Sequence, residues 1–260
     1  HFSPVFVPKL QKIPELLQLG GDSIELSIMF TDVRGFTTIS EHYGEDVQGL
    51  TKIMNRYMTA MTKKIIENNG TLDKYIGDAQ MAFWNAPLDN DNHAEDSVRT
   101  ALAMMESLDE FNNEIADEGI PAFGMGLGIN TDTVVVGNMG SDQRFDYTCL
   151  GDGVNTAARL EGQSKNYGVK ILLGPKTAEA IKDDYTILEL DNIAVKGKTV
   201  GVQIYTVIDS KSATTLAAQK HHEVMHAKYR DQDFEAVMSY CKSLKLEFGG
   251  QMKDYYEMWT

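Results

Sequence analysis

The chain has 260 residues, of which 38 are acidic and 24 are lysine or arginine, so its formal net charge is −14. Proteins that bind nucleic acid neutralise its phosphates with lysine and arginine, and this balance therefore excludes nucleic acid as a partner. Hydrophobic residues make up 42% of the chain, which is enough to bury a core and excludes a disordered chain.

The first 23 residues predict a connector rather than a folded domain. They contain Pro4, Pro8 and Pro14, and the pair Gly20-Gly21 lies near their end. Proline and glycine interrupt regular structure, so no more than one helical turn is expected here. The first predicted domain therefore begins at Ile24.

The next segment combines strand and helix patterns. Apolar and polar residues alternate from Ile24 to Phe30, which predicts a strand. From Val47 to Ile66 the apolar residues recur every three or four positions, which predicts an amphipathic helix. Residues 71–76 and 79–84 are strand-like runs joined by Gly77-Asp78, a two-residue link that favours a hairpin.

Similar patterns continue to residue 208. Helices are predicted over 98–111 and 152–160, with a turn-rich stretch before the second, and a short helix begins at Pro175. Further strands are predicted over 123–130, 133–137, 169–173, 185–190, 193–195 and 200–208. The order of elements predicts an α+β fold: a ferredoxin-like βαββαβ core with extra strands and helices, whose mixed sheet is covered by helices.

Residues 210–260 predict a C-terminal helical hairpin that forms a separate appendage. Within it, residues 222–226 read His-Glu-Val-Met-His, a pattern that on a helix places two imidazoles one turn apart for zinc, with the glutamate as a base. A zinc peptidase is therefore one alternative for this chain. The other reading is a polar helix face, which is favoured because the appendage offers neither a cleft nor a third ligand.

Two aspartates are candidates for a common site. Asp32 follows the first strand and precedes Gly35 and Thr37, and Asp78 lies in the predicted hairpin turn. If the first strand pairs beside the hairpin, the two carboxylates converge and would repel each other unless they shared a divalent cation. The alternative is that Asp32 caps a helix and Asp78 forms a turn, and spacing alone leaves both readings open.

Three segments resemble the signature segments of the class III nucleotidyl cyclases. They are residues 30–37 (FTDVRGFT), 73–78 (DKYIGD) and 151–159 (GDGVNTAAR), and their order and spacing agree as well. The resemblance covers residues 24–209 and points to adenylyl cyclases of the bacterial type, in a subgroup with threonine at one base-reading position. It implies a phosphorus–oxygen lyase that converts ATP to 3′,5′-cyclic AMP and pyrophosphate.

The resemblance implies a metal site. It assigns Asp32 and Asp78 to two magnesium or manganese ions, with the backbone carbonyl of Val33 as a further ligand, and such hard cations prefer oxygen donors. One ion would lower the pKa of the ribose 3′-hydroxyl and the other would hold the triphosphate, so that the alkoxide attacks the α-phosphorus in line. The resemblance therefore favours a role for Asp32 and Asp78 as metal ligands over their alternative roles as a helix cap and a turn residue.

The resemblance also assigns residues to the phosphates and the ribose. Asn155 and Arg159 match the residues that orient the ribose and stabilise charge on the pentavalent phosphate, and they share a helix face because they are four residues apart. Lys196 matches a contact to the terminal phosphates, with a solvated turn lysine as the alternative. Phe36 and Thr37 are expected to contact the substrate as well.

Two positions bear on the choice of base. Lys74 matches the residue that donates a hydrogen bond to adenine N1, where guanylyl cyclases carry glutamate. Thr148 matches the second position, and its hydroxyl can accept a hydrogen bond from the adenine amino group. Cys149 is one position out of register with the cysteine of guanylyl cyclases. ATP is therefore the predicted substrate, and a guanylyl cyclase is the alternative.

The assembly and location also follow from the resemblance. In this family the metal carboxylates of one catalytic domain face the base-binding residues of another, and this chain carries both sets, so a symmetric homodimer with two sites is expected. The connector over residues 1–23 resembles those that follow an upstream sensor or membrane region, which is expected outside this sequence. The cysteines Cys149 and Cys241 fit a reducing compartment, so a cytoplasmic domain is predicted, with a membrane-attached parent protein left open.

A further alternative is a catalytically silent domain kept for nucleotide binding or dimerisation. Loss of a metal carboxylate or of a transition-state residue would favour that reading. The sequence keeps both metal carboxylates and both transition-state residues, which are Asp32, Asp78, Asn155 and Arg159.

Overall fold

The computed structural model describes residues 19–141, 143–194, 201–209 and 211–260. The strands are β1 (Gly20–Arg34), β2 (Thr71–Ile76), β3 (Ala79–Trp84), β4 (Gly124–Ser141), β5 (Arg144–Leu150), β6 (Ile171–Leu173), β7 (Thr186–Ile193) and β8 (Val202–Ile208). The helices are α1 (Phe36–Tyr43), α2 (Val47–Glu67), α3 (His93–Ala116), α4 (Asp152–Ser164), α5 (Pro175–Ile181), α6 (Ala213–Arg230), α7 (Phe234–Leu244) and α8 (Lys253–Glu257), with a 3-10 helix at Phe248–Gly250. In these ranges no helix combines the length and the apolar character needed to cross a membrane.

The chain forms two compact units, and the first consists of the described parts of residues 1–125 and 131–155. Its strand order is β2-β3-β1-β4, and β5 pairs with β4. The pairs β1–β3, β2–β3 and β4–β5 are antiparallel. The elements β1, α2, β2, β3, α3 and β4 follow one another in the predicted βαββαβ order, which is therefore confirmed.

Helix α2 provides the hydrophobic face that covers this part of the sheet. It begins after Asp46, whose carboxylate accepts a hydrogen bond from the Gly49 N–H at 2.9 Å, a helix-capping contact. Its buried residues recur every four positions, as an amphipathic helix requires, and are Ile53, Tyr57, Met61 and Ile65. The ring of Tyr57 stacks on Phe123 with 5.1 Å between the ring centres.

The second unit consists of residues 126–130 and the described parts of 156–260. Residues 127–129 of β4 pair in parallel with β6. Strand β8 lies between β6 and β7 and is antiparallel to both. Because parallel and antiparallel pairs occur together, the predicted mixed sheet is confirmed.

The C-terminal helices share the hydrophobic core of the second unit. One buried cluster contains Leu188 and Leu190 of β7 together with Met225 of α6, Cys241 of α7 and Tyr255 of α8. The expectation of a separate appendage is therefore wrong as a description of packing, because the hairpin buries its apolar face against the strands before it. The predicted limits at residues 24, 209 and 210 stay a prediction.

Several elements differ from the sequence predictions. Strand β7 is one strand over Thr186–Ile193 where strands over 185–190 and 193–195 are expected. Strand β4 runs without a break where two strands are expected, and polar Thr131 is accommodated because its hydroxyl lies 2.7 Å from that of Ser27. Strand β5 lies in the stretch where turns are expected. Its sequence shows no clear alternation of apolar and polar residues, and the strand forms because it pairs with β4. Helix α1 begins where a loop is expected, after Gly35 in the left-handed conformation (φ 83°).

Candidate active site

Pairing of β1 with β3 brings the two candidate carboxylates together. Thr31 lies opposite Gln80 in this antiparallel pair, so continuing the register brings Asp32 of β1 to the level of the β2–β3 turn that holds Asp78. Burial raises the pKa of Asp32, and the negative charge of Asp78 raises it further. The two carboxylates are therefore close enough for their charges to interact, and their role as metal ligands stays a prediction.

A buried tyrosine hydroxyl belongs to the same region. Tyr57 is 1% exposed, and its hydroxyl has no hydrogen-bond partner among the described residues. Its pKa is raised by burial and then by the charges of Asp32 and Asp78. The charges of two carboxylates thus act on an unsatisfied buried hydroxyl, and oxygen donors of this kind suit a hard divalent cation.

Within the described residues, this site holds two acidic side chains, Asp32 and Asp78. Among the described residues, no group of three or more histidine, cysteine, aspartate or glutamate side chains is arranged to hold a metal ion. A cation between Asp32 and Asp78 would thus complete its coordination with other oxygen atoms, such as backbone carbonyls, phosphate or water. A site of this kind is suited to a metal that arrives with a phosphorylated ligand.

The N-terminus of α1 lies close to the carboxylate pair along the chain. This helix begins at Phe36, directly after Gly35 and four residues beyond Asp32. The first N–H groups of a helix have no partner within the helix, and its N-terminus favours anions. Phe36 and Thr37 are exposed at this end, whereas Val33 is buried. Backbone donors are therefore available where the sequence predicts a contact to substrate.

The two predicted base-reading residues lie close to one buried carboxylate, that of Asp73. The Thr148 hydroxyl donates a hydrogen bond to Asp73 Oδ2 at 2.5 Å, and the Lys74 ammonium lies 3.3 Å from Asp73 Oδ1. The side chain of Asp73 has no exposed surface, whereas that of Lys74 is 42% exposed. Burial raises the pKa of Asp73, against the opposing effects of the Thr148 hydrogen bond and the Lys74 charge. The structure thus brings Lys74 and Thr148 together through Asp73.

The residues predicted to act on the ribose and the phosphates lie on α4. Asn155 belongs to the first unit and is exposed. Arg159 belongs to the second unit, and its Nη1 is buried without a hydrogen-bond partner among the described residues. A buried guanidinium nitrogen without a partner leaves a donor available for an anion. Lys196 lies outside the described residues.

The two histidines of the zinc-like pattern are part of the packed core. His222 donates from Nε2 to the Glu189 carbonyl at 2.5 Å, and its Nδ1 lies 2.8 Å from the Tyr256 hydroxyl. His226 Nε2 lies 3.1 Å from the Tyr255 hydroxyl. These contacts occupy three of the four ring nitrogens, so the structure contradicts the zinc peptidase alternative and supports a structural role.

The pH dependence of stability tests this placement of the histidines. Burial lowers the pKa of His222 and His226 below the usual 6.5, so the unfolded chain binds more protons than the folded chain as the pH falls below about 6.5. Each histidine then lowers the free energy of unfolding by up to about 1.4 kcal/mol per pH unit. Urea unfolding measured at several pH values between about 5 and 7 gives the free energy of unfolding at each pH. A plot of that free energy against pH is expected to have a shallower slope for His226→Gln than for the unchanged chain. Equal slopes would contradict the buried neutral state.

Two residues of the candidate site are not predicted from the sequence. The helical pattern assigns Tyr57 only to the apolar face of α2, and Asp73 stands out only as a neighbour of Lys74. The position of Asp73 directly before Lys74 in the second signature segment is the one available signal for it. No pattern in the sequence indicates that the Tyr57 hydroxyl is buried near Asp32.

Sequence comparison gives relatives with named activities. Residues 22–209 match the family described as the adenylate and guanylate cyclase catalytic domain. The chain is 36% identical over 209 residues to adenylate cyclase 1 of Rhizobium meliloti (strain 1021), covering 78% of this chain and 31% of that protein. It is 35% identical over 201 residues to adenylate cyclase of Anabaena cylindrica, covering 74% of this chain and 39% of that protein. The chain thus spans roughly a third of the length of these relatives.

Structure comparison leads to the same family. The adenylyl cyclase CyaB from P. aeruginosa has a TM-score of 0.68 and 34% identity, with 74% of this chain and 98% of that chain covered. The guanylyl cyclase Cya2 has a TM-score of 0.67 and 32% identity, with 75% and 97% covered. The chain therefore belongs to the adenylate and guanylate cyclase catalytic domain family.

Proposed function

We propose that this chain is the catalytic domain of an adenylyl cyclase that converts ATP to 3′,5′-cyclic AMP and pyrophosphate. The observation that carries the proposal is the pair of converging carboxylates, Asp32 and Asp78, in a chain of the cyclase family. The related adenylate cyclases support the activity, and the site residues support a reaction that uses divalent metal ions and a nucleoside triphosphate.

Asp32 and Asp78 would hold two magnesium or manganese ions, with the Val33 carbonyl as a further ligand. The oxygen donors fit such ions, and the raised pKa of Asp32 reflects burial and like-charge repulsion that a cation would offset. When bound, divalent ions supply a lowered pKa for the ribose 3′-hydroxyl and positive charge beside the triphosphate.

The remaining residues would orient the nucleotide and stabilise charge. In the reaction the 3′-oxygen forms a bond to the α-phosphorus, the bond from that phosphorus to the bridging oxygen of the β-phosphate breaks, and pyrophosphate leaves while the hydroxyl proton is released. Arg159 offers its unpaired Nη1 to the pentavalent phosphate, and Asn155 orients the ribose. The backbone N–H groups at Phe36 and Thr37 would bind phosphate oxygens, as helix N-termini do. Lys196 would contact the terminal phosphates.

The choice of ATP rests on two side chains, because adenylyl and guanylyl cyclases are both similar to this chain. Lys74 has only donors and suits adenine N1, which is an acceptor, whereas guanine N1 carries a hydrogen. Thr148 can accept from the adenine amino group, as long as its own hydrogen is directed elsewhere. Its hydrogen bond to Asp73 meets that condition.

We also propose that the active form is a homodimer on the cytoplasmic side, within a longer protein that has a sensor or membrane region. The carboxylates of Asp32 and Asp78 in one copy would face the base-reading residues and Arg159 of the other. Two equivalent sites would result. A single copy would then be inactive.

An assay of both nucleotides tests the proposed function. The chain is incubated with ATP or GTP and with magnesium or manganese, and the cyclic product is separated and identified by mass spectrometry. Cyclic AMP is expected to form faster than cyclic GMP with either metal. Equal turnover of the two nucleotides would contradict the base assignment, and nucleotide binding without any cyclic product would favour a silent binding module.

A further inference from the structure

Asp73 occupies an irregular position in the sheet beside the two base-reading residues. In the β2–β3 pair Leu72 lies opposite Ala82 and Lys74 lies opposite Met81, so Asp73 has no partner in the register and forms a bulge. A bulge redirects the side chain of the extra residue. Here it accompanies a carboxylate that is wholly buried, next to a lysine that is not.

The contacts of Asp73 fix the hydrogen-bond role of a neighbouring hydroxyl. A carboxylate has acceptor atoms only, whereas a threonine hydroxyl can donate one hydrogen and accept through its lone pairs. The Thr148 hydroxyl donates to Asp73 Oδ2 at 2.5 Å. Its single hydrogen is thereby used, and only lone pairs remain for a ligand.

Asp73 also restrains the neighbouring ammonium group. Lys74 Nζ lies 3.3 Å from Asp73 Oδ1 in an ion pair, and Oδ1 has no hydrogen-bond partner among the described residues. Because the Lys74 side chain is 42% exposed, its remaining donors stay accessible to a ligand. One buried carboxylate therefore contacts both groups that are expected to read the base.

We propose that Asp73 is a specificity-determining positioning residue that, as a carboxylate, makes Thr148 an acceptor and holds Lys74 as a donor. This inference rests on the proposed function. The resulting acceptor–donor pair matches the amino group and N1 of adenine. It opposes guanine, whose O6 is an acceptor and whose N1 carries a hydrogen.

The Asp73→Asn variant distinguishes a role in the choice of base from a role in overall activity or folding. Asparagine has nearly the same shape, but its amide can donate to the Thr148 oxygen and so release the threonine hydrogen toward guanine O6. The ratio of kcat/KM for ATP to that for GTP is expected to fall about tenfold, the size of one hydrogen bond. Asp117→Asn removes the same charge at an exposed position after α3 and is expected to keep the ratio.

A double-mutant cycle with Thr148→Val tests whether Asp73 acts through the hydroxyl. Valine removes the hydroxyl, so adding Asp73→Asn to Thr148→Val is expected to change the ratio by less than about twofold. Thr148→Ser keeps a hydroxyl and is expected to keep the ratio. Melting temperatures are measured for every variant, and Asp73→Ser, which also offers a donor, replaces Asp73→Asn if the latter does not fold.

The outcomes distinguish this inference from the proposed function. A fall in the ratio that depends on the Thr148 hydroxyl would support the role of Asp73. An unchanged ratio in Asp73→Asn, or equal losses for ATP and GTP, would overturn it and leave the cyclase activity standing. If the unchanged chain forms no cyclic nucleotide from either substrate, the proposed function itself fails.

Discussion

Asp32→Asn is expected to lower the rate of cyclic AMP formation at least about a hundredfold while leaving the fold intact. The substitution keeps the shape of the side chain but removes the charge that would bind a divalent cation. Burial and the charge of Asp78 raise the folded-state pKa of Asp32 above its usual 3.8, so the ionised group destabilises the metal-free fold at pH values above about 4. Metal-free Asp32→Asn should therefore melt at the same or a higher temperature than the unchanged chain.

Thermal stability with manganese supplies the second measurement for this prediction. A ligand that binds only the folded chain raises its melting temperature, so manganese is expected to stabilise the unchanged chain more than Asp32→Asn. Asp117→Asn, which removes an exposed charge far along the chain, is the control and should retain both activity and the manganese effect. Full activity in Asp32→Asn would remove Asp32 from the mechanism.

The carboxylate pair could be predicted because its position depends on local features of the sequence. Asp32 ends an alternating strand, and Asp78 lies in a two-residue link between two strand-like runs. Antiparallel pairing of β1 with β3 then brings them together. The buried hydroxyl of Tyr57 could not be foreseen, since the helical period assigns a face to a residue but not the atoms that its hydroxyl meets.

The role of Asp73 depends on a feature that periodicity does not report. A strand pattern assumes an unbroken register, in which Asp73 and Lys74 would point to opposite faces. The bulge at Asp73 breaks that register, and the Thr148 partner lies 75 residues further along the chain. Contacts of this kind become visible only when the strands are placed beside one another.

The C-terminal helices illustrate the same limit on a larger scale. Their composition predicts a helical hairpin, and α6 and α7 confirm it. The sequence pattern does not indicate that Tyr255 and Tyr256 are fully buried, in one cluster with Leu188 of β7. Local patterns thus identify the helices, whereas their packing surface depends on contacts between distant segments.

Mixing two inactive variants is expected to restore activity if the working site is built from two copies of the chain. Asp32→Asn removes a metal carboxylate, and Arg159→Ala removes the guanidinium that would stabilise the phosphate. In a dimer of one copy of each, one site carries both defects and the other carries neither. Random exchange of equal amounts makes about half of the dimers mixed, so about a quarter of the unchanged activity is expected.

The control for this experiment is a mixture of Asp32→Asn with Asp78→Asn. Both substitutions lie in the same half of the proposed site, so every dimer of that mixture has a defect in each of its two sites and no recovery is expected. Recovery in the first mixture and not in the second would support a site shared between copies. Absence of recovery in both, with mixed dimers detected by size and mass, would mean that one copy carries its complete site or that Arg159 acts elsewhere. Because the two mixtures differ only in the second substitution, they separate the shared site from a general effect of mixing.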